Sequence, residues 1–595
     1  MSSWKDRINL ELFPLFRRKL AGVDGLPQLT ILGLVSGIIT GAVILAFRFA
    51  IEWPLATWLP GQTGEAFESL PLLTRSLLPL GGALLLGLLL HRLHISDRKV
   101  GVTYILERLN YHQGYISLKS AMVQFITGVG TVVTGQSSGR EGPAVHLGAA
   151  ASSLIGQWMR LPNNSIRTLV ACGAAAAISA SFNTPIAGVI FAMEVVMMEY
   201  TIAGFTPIIM ASVSAAVVTQ AVYGTTPAFD VPAPTMQSLL EIPWILAIAV
   251  AIGVASAGFV RLLVAATRFN HHPITLRMAV AGLIMVPFAA LVPEVMGIGY
   301  DTVSKAIHGQ LTVGVLIGVA LAKLVATAVT IGLGMPSGLI GPTIFIGATL
   351  GGAFGLIGAQ IAPNAVSGIG FYAMLGMGAM MGSVLQAPLA ALMALLELTR
   401  NPNIILPGML IITTSSLIAN QVFGQRSIFL SVLRSQGMSY QTNPVIQALR
   451  RVSVAGIMER SVRRTRRNIT LKAARKLLKT EPRWLVIDGQ KGPTAAMPAV
   501  DLARHLEDHA EELTAAEDAS DEPEPAVIDL MKIPANRRDL APVEFQATLE
   551  EALNRFDETK AEALYVTRHG APGIQRILGL IQRADIEHHY QYKRR

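Results

Sequence analysis

One short pattern occurs twice in this chain at matching places, and it restricts the possible fold more than any single segment does. Gly139-Arg140-Glu141-Gly142-Pro143 runs on to Gly148-Ala149, and Gly338-Leu339-Ile340-Gly341-Pro342 runs on to Gly347-Ala348 with the same internal spacing. A second pattern follows each copy: Asn183-Thr184-Pro185-Ile186-Ala187 leading to Glu194, then Gln386-Ala387-Pro388-Leu389-Ala390 leading to Glu397. Pro143 to Pro342 and Pro185 to Pro388 span nearly the same distance. Two ordered motifs repeated at matched offsets imply a duplicated half. In each copy proline follows glycine and precedes an apolar run, which is where a helix starts, because proline needs no amide donor in the first turn.

The surroundings of these motifs are too apolar for water. The chain of 595 residues is 51% hydrophobic and only 15% charged, and a span needs roughly 20 apolar residues. Apolar stretches begin at Leu29 to Phe49 and recur from Leu77 to Leu90 and from Ile242 to Val264, interrupted by Gly and Pro. The first follows a basic, amphipathic opening with no small-residue cleavage site, so it is expected to stay in the mature protein. Helices therefore begin inside a membrane. Their first N–H groups lack intrahelical partners and carry the positive end of the helix dipole, so two such starts from two halves can converge on a dehydrated anion. Glycines 139, 142, 338 and 341 permit close backbone approach.

Cys172 is the single cysteine, which excludes an intrachain disulfide or a cysteine-based zinc cluster. The net charge of +9 sits at the flanks of the apolar region. Arg17, Arg18 and Lys19 precede it, and Arg450, Arg451, Arg460, Arg463, Arg464, Arg466 and Arg467 follow it. The positive-inside rule then places both termini in the cytoplasm of a multi-pass protein of the cell inner (plasma) membrane, with lipid rather than nucleic acid as the partner of the basic runs.

Composition divides the chain into an amphipathic interfacial helix (1–25) and a membrane unit (26–437), whose halves cover about 28–222 and 240–422. A soluble tail follows: a first α/β unit (445–512), an acidic linker (513–524) and a second α/β unit (525–595). Each unit shows a helix before a short apolar strand, Leu471 to Leu478 before Trp484 to Ile487 and Leu549 to Phe556 before Ala563 to Val566. The expected fold class is an all-α polytopic membrane protein with a duplicated half of broken, tilted helices, plus a cytoplasmic α/β pair.

Ser138-Gly139-Arg140-Glu141-Gly142-Pro143, the Gly338-Leu339-Ile340-Gly341-Pro342 loop and Phe182-Asn183-Thr184-Pro185-Ile186-Ala187-Gly188 closely resemble the CLC chloride channel and proton–anion exchanger family. The resemblance implies a homodimer with a chloride pore in each subunit and an inverted repeat as the relation of the two halves. It makes Glu141 the gating carboxylate, costly inside a membrane unless used, and puts anion binding at Gly139, Arg140, Gly142, Gly338 and the backbone amides of Leu339 and Ile340. It also exposes departures. A family serine at the central anion corresponds to Val100 and a family tyrosine to Phe429, so two side-chain donors worth about 0.5–1.5 kcal/mol each are missing. The inner proton-passing glutamate of exchangers corresponds to Val195, beside Glu194, which could substitute on a proton pathway.

On that basis passive, Glu141-gated and voltage-gated chloride conduction is the expected function, with proton-coupled exchange of chloride or another small anion as the alternative. The tail resembles a CBS domain pair, opened by Gly456-Ile457-Met458 and Asp529-Leu530-Met531, with Asp501 and Asp585 near the ends. Pro498 and Gln582 stand where a nucleotide site needs Ser or Thr, so no cofactor is expected and adenine-nucleotide binding is doubtful. A membrane enzyme with such a tail would need a His-Glu-x-x-His zinc helix, which the sequence lacks, and a cation channel would need a carboxylate-lined path. Lys119 is a candidate for adding positive potential at an anion entrance, or for snorkelling.

Overall fold

The computed structural model describes residues 25–59, 67–225, 229, 236–363, 367–438, 440, 444–489, 492–510, 527–571 and 574–594. The interfacial helix expected over residues 1–25, apart from its last residue, and the expected acidic linker lie outside the described residues. The chain divides into two compact units, one built mainly from residues 29–441 and the other mainly from 442–595.

The first unit is helical throughout. Its first half contains α1 (Leu26–Trp58), α2 (Leu72–His91), α3 (Gly101–Tyr111), α4 (Leu118–Val133), α5 (Glu141–Trp158), α6 (Asn163–Phe182), α7 (Pro185–Phe191) and α8 (Ile202–Tyr223). The second contains α9 (Ile242–Thr267), α10 (Ile274–Leu291), α11 (Tyr300–Ile307), α12 (Val313–Gly332), α13 (Ile340–Ile361), α14 (Ile369–Leu385), α15 (Pro388–Thr399), α16 (Ile405–Leu417) and α17 (Ile428–Ser435). Among the described residues nine helices are long and apolar enough to cross a membrane. Their outward faces carry exposed Ile31, Phe49, Leu85, Leu283 and Leu321, a surface suited to lipid. Helices α4 to α7 recur as α12 to α15 in the same order, each series carrying the repeated motifs. Helix α7 starts at Pro185 and α15 at Pro388, as their first-turn prolines dictate. Helix α5 starts at Glu141 and α13 at Ile340, each two residues before its proline.

The halves join through backbone. Gly139 and Gly338 form an isolated antiparallel bridge, with the Gly139 N–H donating to Gly338 O at 3.1 Å and the Gly338 N–H donating to Gly139 O at 2.9 Å. A Cβ on Gly142 would fall 2.6 Å from Gly338 Cα, and one on Gly338 would fall 2.5 Å from Gly142 N. Glycine is required here by contact.

The second unit carries a six-stranded sheet of order β1-β3-β4-β6-β7-β8, with β2 and β5 paired separately. The strands are β1 (Val462–Arg466), β2 (Asn468–Thr470), β3 (Trp484–Gly489), β4 (Gly492–Pro498), β5 (Val527–Asp529), β6 (Arg538–Glu544), β7 (Ala563–Ala571) and β8 (Ile574–Gln582). The same triplet appears twice: β1 pairs β3 in parallel and β3 pairs β4 antiparallel, then β6 pairs β7 in parallel and β7 pairs β8 antiparallel. A helix precedes the middle strand of each triplet, Leu471–Leu478 and Leu549–Thr559, as a parallel pair requires a crossover. Where β2 meets β5, Arg467 grips Asp529 through two bonds of 2.9 and 2.8 Å. That pairing, with the Met531 N–H, holds the Asp529 carboxyl down to about 2.

The two-glycine contact predicts a selective sensitivity. Gly142→Ala or Gly338→Ala should cost about 1–3 kcal/mol or more in thermal unfolding, because the added carbon meets backbone that cannot swing aside. Gly258→Ala and Gly318→Ala, which meet nothing within 4 Å, should leave the melting temperature unchanged. Equal behaviour of the two pairs would contradict the contact.

Candidate functional site

The bridge between Gly139 and Gly338 sets the starts of α5 and α13 beside each other, and Glu141 is the first residue of α5. Its side chain is fully buried. One carboxylate oxygen, Oε2, accepts the Gly341 N–H at 3.1 Å, an amide in the first turn of α13 that has no intrahelical partner. The other, Oε1, accepts the hydroxyl of Tyr300 at the start of α11. A carboxylate from one half thus lies across the helix start of the other, and it stands in for the anion that a positive helix terminus attracts. Leu339 and Ile340 are buried in the same first turn, so the site's attraction comes from backbone rather than from side-chain charge.

Arg140 braces the outer flank of this turn. Its Nη1 donates to Glu52 Oε1 at 3.2 Å, and its guanidinium lies 5.7 Å from the Tyr300 ring centroid. Glu52, on α1, also accepts from Arg48 at 3.1 Å and from the Tyr223 hydroxyl at 2.7 Å. Two guanidinium groups therefore share one carboxylate, which leaves this cluster net positive.

Behind the site stands Lys323 on α12, fully buried. Its ammonium donates to the carbonyls of Val295, Gly297 and Ile298 at 3.0, 2.8 and 3.3 Å and lies 4.8 Å from the Phe345 ring centroid. Gly297 O also accepts the Ser138 N–H at 3.2 Å. One turn along α12, Thr327 shares a 2.7 Å hydroxyl contact with Ser137. A buried cation is tolerable only when its protons are taken up, and here they pin the loop that leads into Tyr300.

The remaining expected positions are distributed differently. Val100 caps α3 with no side-chain hydrogen bond and packs beside Val123, Met278 and Leu333. Phe429 is buried in the main core with Val102, Leu339 and Ile340. Beside Val100, the Gly101 N–H donates to His146 Nδ1 at 3.0 Å, while His146 Nε2 lies 3.1 Å from Ser120 Oγ; the His146 ring stacks on Tyr104 at 5.4 Å. Lys119 pairs with Asp97 at 2.6 Å.

Glu194 and Glu397 occupy equivalent places in the two halves and serve each other's helices. Glu194 accepts the Leu389 and Ala390 N–H groups of α15 at 3.3 and 2.8 Å, and Glu397 accepts the Ile186 and Ala187 N–H groups of α7 at 2.9 and 2.7 Å. These are the unpartnered first-turn amides after Pro388 and Pro185. Val195, next to Glu194, is buried in the apolar core. Both oxygens of Glu194, the carboxylate that the sequence offers as a substitute on a proton route, are thus engaged by backbone.

Sequence reasoning missed Tyr300, Lys323, Glu52 and His146. A signal existed for Lys323, since a lysine in the middle of the apolar run Val313–Gly332 marks a functional or structural demand. No local signal marked Tyr300, which the distant chain turn from Gly297 to Gly299 brings to Glu141. Among the described residues no cluster of three His, Cys, Asp or Glu could hold a metal ion.

A family model described as voltage gated chloride channel matches residues 82–420. A ClcB-like protein of Ralstonia nicotianae is 32% identical over 417 residues, covering 68% of this chain and 96% of the relative. A protein of Vibrio cholerae named H(+)/Cl(-) exchange transporter ClcA is 27% identical over 416 residues, covering 68% and 88%. The fold is similar to that of a slow cyanobacterial Cl-/H+ antiporter (TM-score 0.61, 22% identity, covering 69% of this chain and 97% of that one). It is also similar to a eukaryotic CLC transporter, with a TM-score of 0.57 at 17% identity, covering 97% and 99%.

The reciprocal caps generate a stability prediction. Glu194→Ala and Glu397→Ala should each lower stability by about 1–3 kcal/mol, since each leaves two first-turn amides without their carboxylate acceptor. Thermal melting in detergent checks this, and the two losses should be similar because the geometry is. A loss at only one of the two sites would break the symmetry of the caps.

Proposed function

The chain belongs to the voltage gated chloride channel family, a multi-pass membrane protein by its spans and its relatives, and from that premise we propose that it exchanges chloride for protons across the membrane. The observation that carries this reading is Glu141, whose buried carboxylate occupies the anion's place against the Gly341 amide. A group that competes with the anion and also binds a proton couples the two species. Protonation neutralises it and releases its claim on the helix start, and an arriving anion displaces it.

This reading reverses the expectation of passive conduction drawn from Val195. Relatives such as the Vibrio cholerae protein are named as exchangers, and a missing carboxylate at one position argues against one proton route only. The amides that hold Glu194 support a capping role for it rather than a relay role. Passive conduction remains the second reading, favoured specifically by the apolar burial of Val195.

In this proposal the transported anion is chloride, each subunit of a homodimer has its own pathway, and both termini face the cytoplasm of the inner (plasma) membrane. Gly139, Gly142 and Gly338 bring backbone to the anion, Leu339 and Ile340 present amides, and Arg140 adds positive potential. Val100 and Phe429 leave the central position without hydroxyl donors, which weakens binding there. The protein transports and catalyses no covalent reaction. The tail is a CBS pair that acts structurally, without an adenine nucleotide: Asp501 already accepts the Asn536 N–H at 2.9 Å and Asp585 the Gln582 N–H at 2.8 Å.

Purified protein in liposomes, with chloride efflux and pH followed together, tests the proposal. A chloride gradient should drive protons uphill at a fixed ratio, and Glu141→Gln should abolish both proton movement and the pH dependence of chloride flux. Chloride efflux that stops until an ionophore dissipates the voltage, with no proton movement, would instead establish passive conduction.

A further inference from the structure

Tyr300 stands out as a polar group that neither the sequence motifs nor the repeat accounts for. Its hydroxyl donates to Glu141 Oε1 while Gly341 N–H donates to Glu141 Oε2. The two oxygens of that carboxylate therefore mark a place where a backbone donor and a side-chain donor converge. Phenol and amide N–H are both suited to an anion, and neither carries a full charge that would trap one.

The position of the ring is fixed from several sides. Phe229 meets it edge-on at 5.3 Å and Phe182 at 6.4 Å between centroids, and the Arg140 guanidinium lies 5.7 Å from its centroid. The loop that delivers it is held by Lys323 through three carbonyls and by the Ser138 N–H. Gly299, just before Tyr300, has a positive φ of 84°, and a Cβ there would fall 2.6 Å from the Phe345 ring. A donor held this firmly does not have to follow Glu141 when the carboxylate leaves. It stays where it was, with its proton aimed at the vacated place.

We infer that Tyr300 is an anion-binding residue: when Glu141 swings away, its hydroxyl donates to the chloride that takes the carboxylate's place beside the Gly341 amide. The inference rests on the gating reading of Glu141. It supplies beside the Gly341 amide a hydroxyl donor of the kind that Val100 and Phe429 lack. The same hydroxyl has two effects, because it holds the carboxylate when the gate is shut and the anion when it is open. Removing it should weaken chloride binding and also loosen the closed gate.

The test compares chloride binding by calorimetry to purified full-length Glu141→Ala and to the double variant Glu141→Ala/Tyr300→Phe. The first empties the position and the second removes only the hydroxyl. We expect affinity to fall about 10- to 150-fold in the double variant, the range for one lost hydrogen bond to an anion. In the otherwise wild-type background, Tyr300→Phe should raise chloride flux, since the shut carboxylate loses a donor. If the phenylalanine variants do not fold, 3,5-difluorotyrosine at position 300 keeps the ring and makes a stronger donor, and chloride should then bind more tightly. Equal affinities with and without the hydroxyl, or no response to the fluorinated side chain, would overturn the role of Tyr300. The gate is tested apart from it. An unchanged pH profile in Glu141→Gln removes Glu141 as the gate, whereas a flattened profile with equal chloride affinities removes Tyr300 alone.

Discussion

Two hydrogen bonds between Gly139 and Gly338 hold the centre of the membrane unit together. They are backbone bonds in a region with no water to replace them, so breaking them leaves four polar groups stranded. They also fix where two helices begin. Because α5 starts at Glu141 and α13 at Ile340, bridging the residues just before them brings two positive helix ends to one place. The place of the buried Glu141 carboxylate against the Gly341 amide and the need for glycine at 142 and 338 both follow from that short pairing.

The same economy recurs at the second pair of helix starts. Proline at 185 and 388 begins α7 and α15 without an amide of its own, and the following amides are taken by Glu397 and Glu194 from the opposite half. Each half is incomplete alone, because its unpaired donors are satisfied only by its counterpart. The duplication is thus held by reciprocal interactions, and the carboxylates concerned are committed to structure. A glutamate in a membrane helix invites a transport role, and Glu141 differs from these two in lying against the start of α13 rather than capping α7 or α15.

Polar residues buried around the site divide by what they touch. Lys323 spends its protons on the carbonyls of Val295, Gly297 and Ile298 and so orders the segment carrying Tyr300. Arg140 is turned to Glu52 on α1, which in turn is shared with Arg48 and Tyr223. His146 ties the Gly101 amide to Ser120. Apart from the Arg48–Glu52 pair on α1, none of these contacts is local in sequence.

What the sequence determined by itself was whatever depends on residue type and order. Repeated Gly and Pro fixed the duplicated half and the intramembrane helix starts. Apolar length fixed the membrane, the switch to alternating short elements after residue 440 marked the α/β tail, and Glu141 beside a helix start declared itself by the cost of placing a carboxylate there. What only the tertiary structure decided was which donors meet which acceptors. Tyr300 lies 159 residues from Glu141 and Glu194 lies 195 from Leu389, and no spacing rule connects positions so far apart. Helix periodicity tells which face of a segment is buried, but the partner on the far side of that face is set by how the two halves close on each other. For that reason the sequence offered Glu194 only as a possible substitute on a proton pathway, and its place as a helix cap appears once α15 is folded against it.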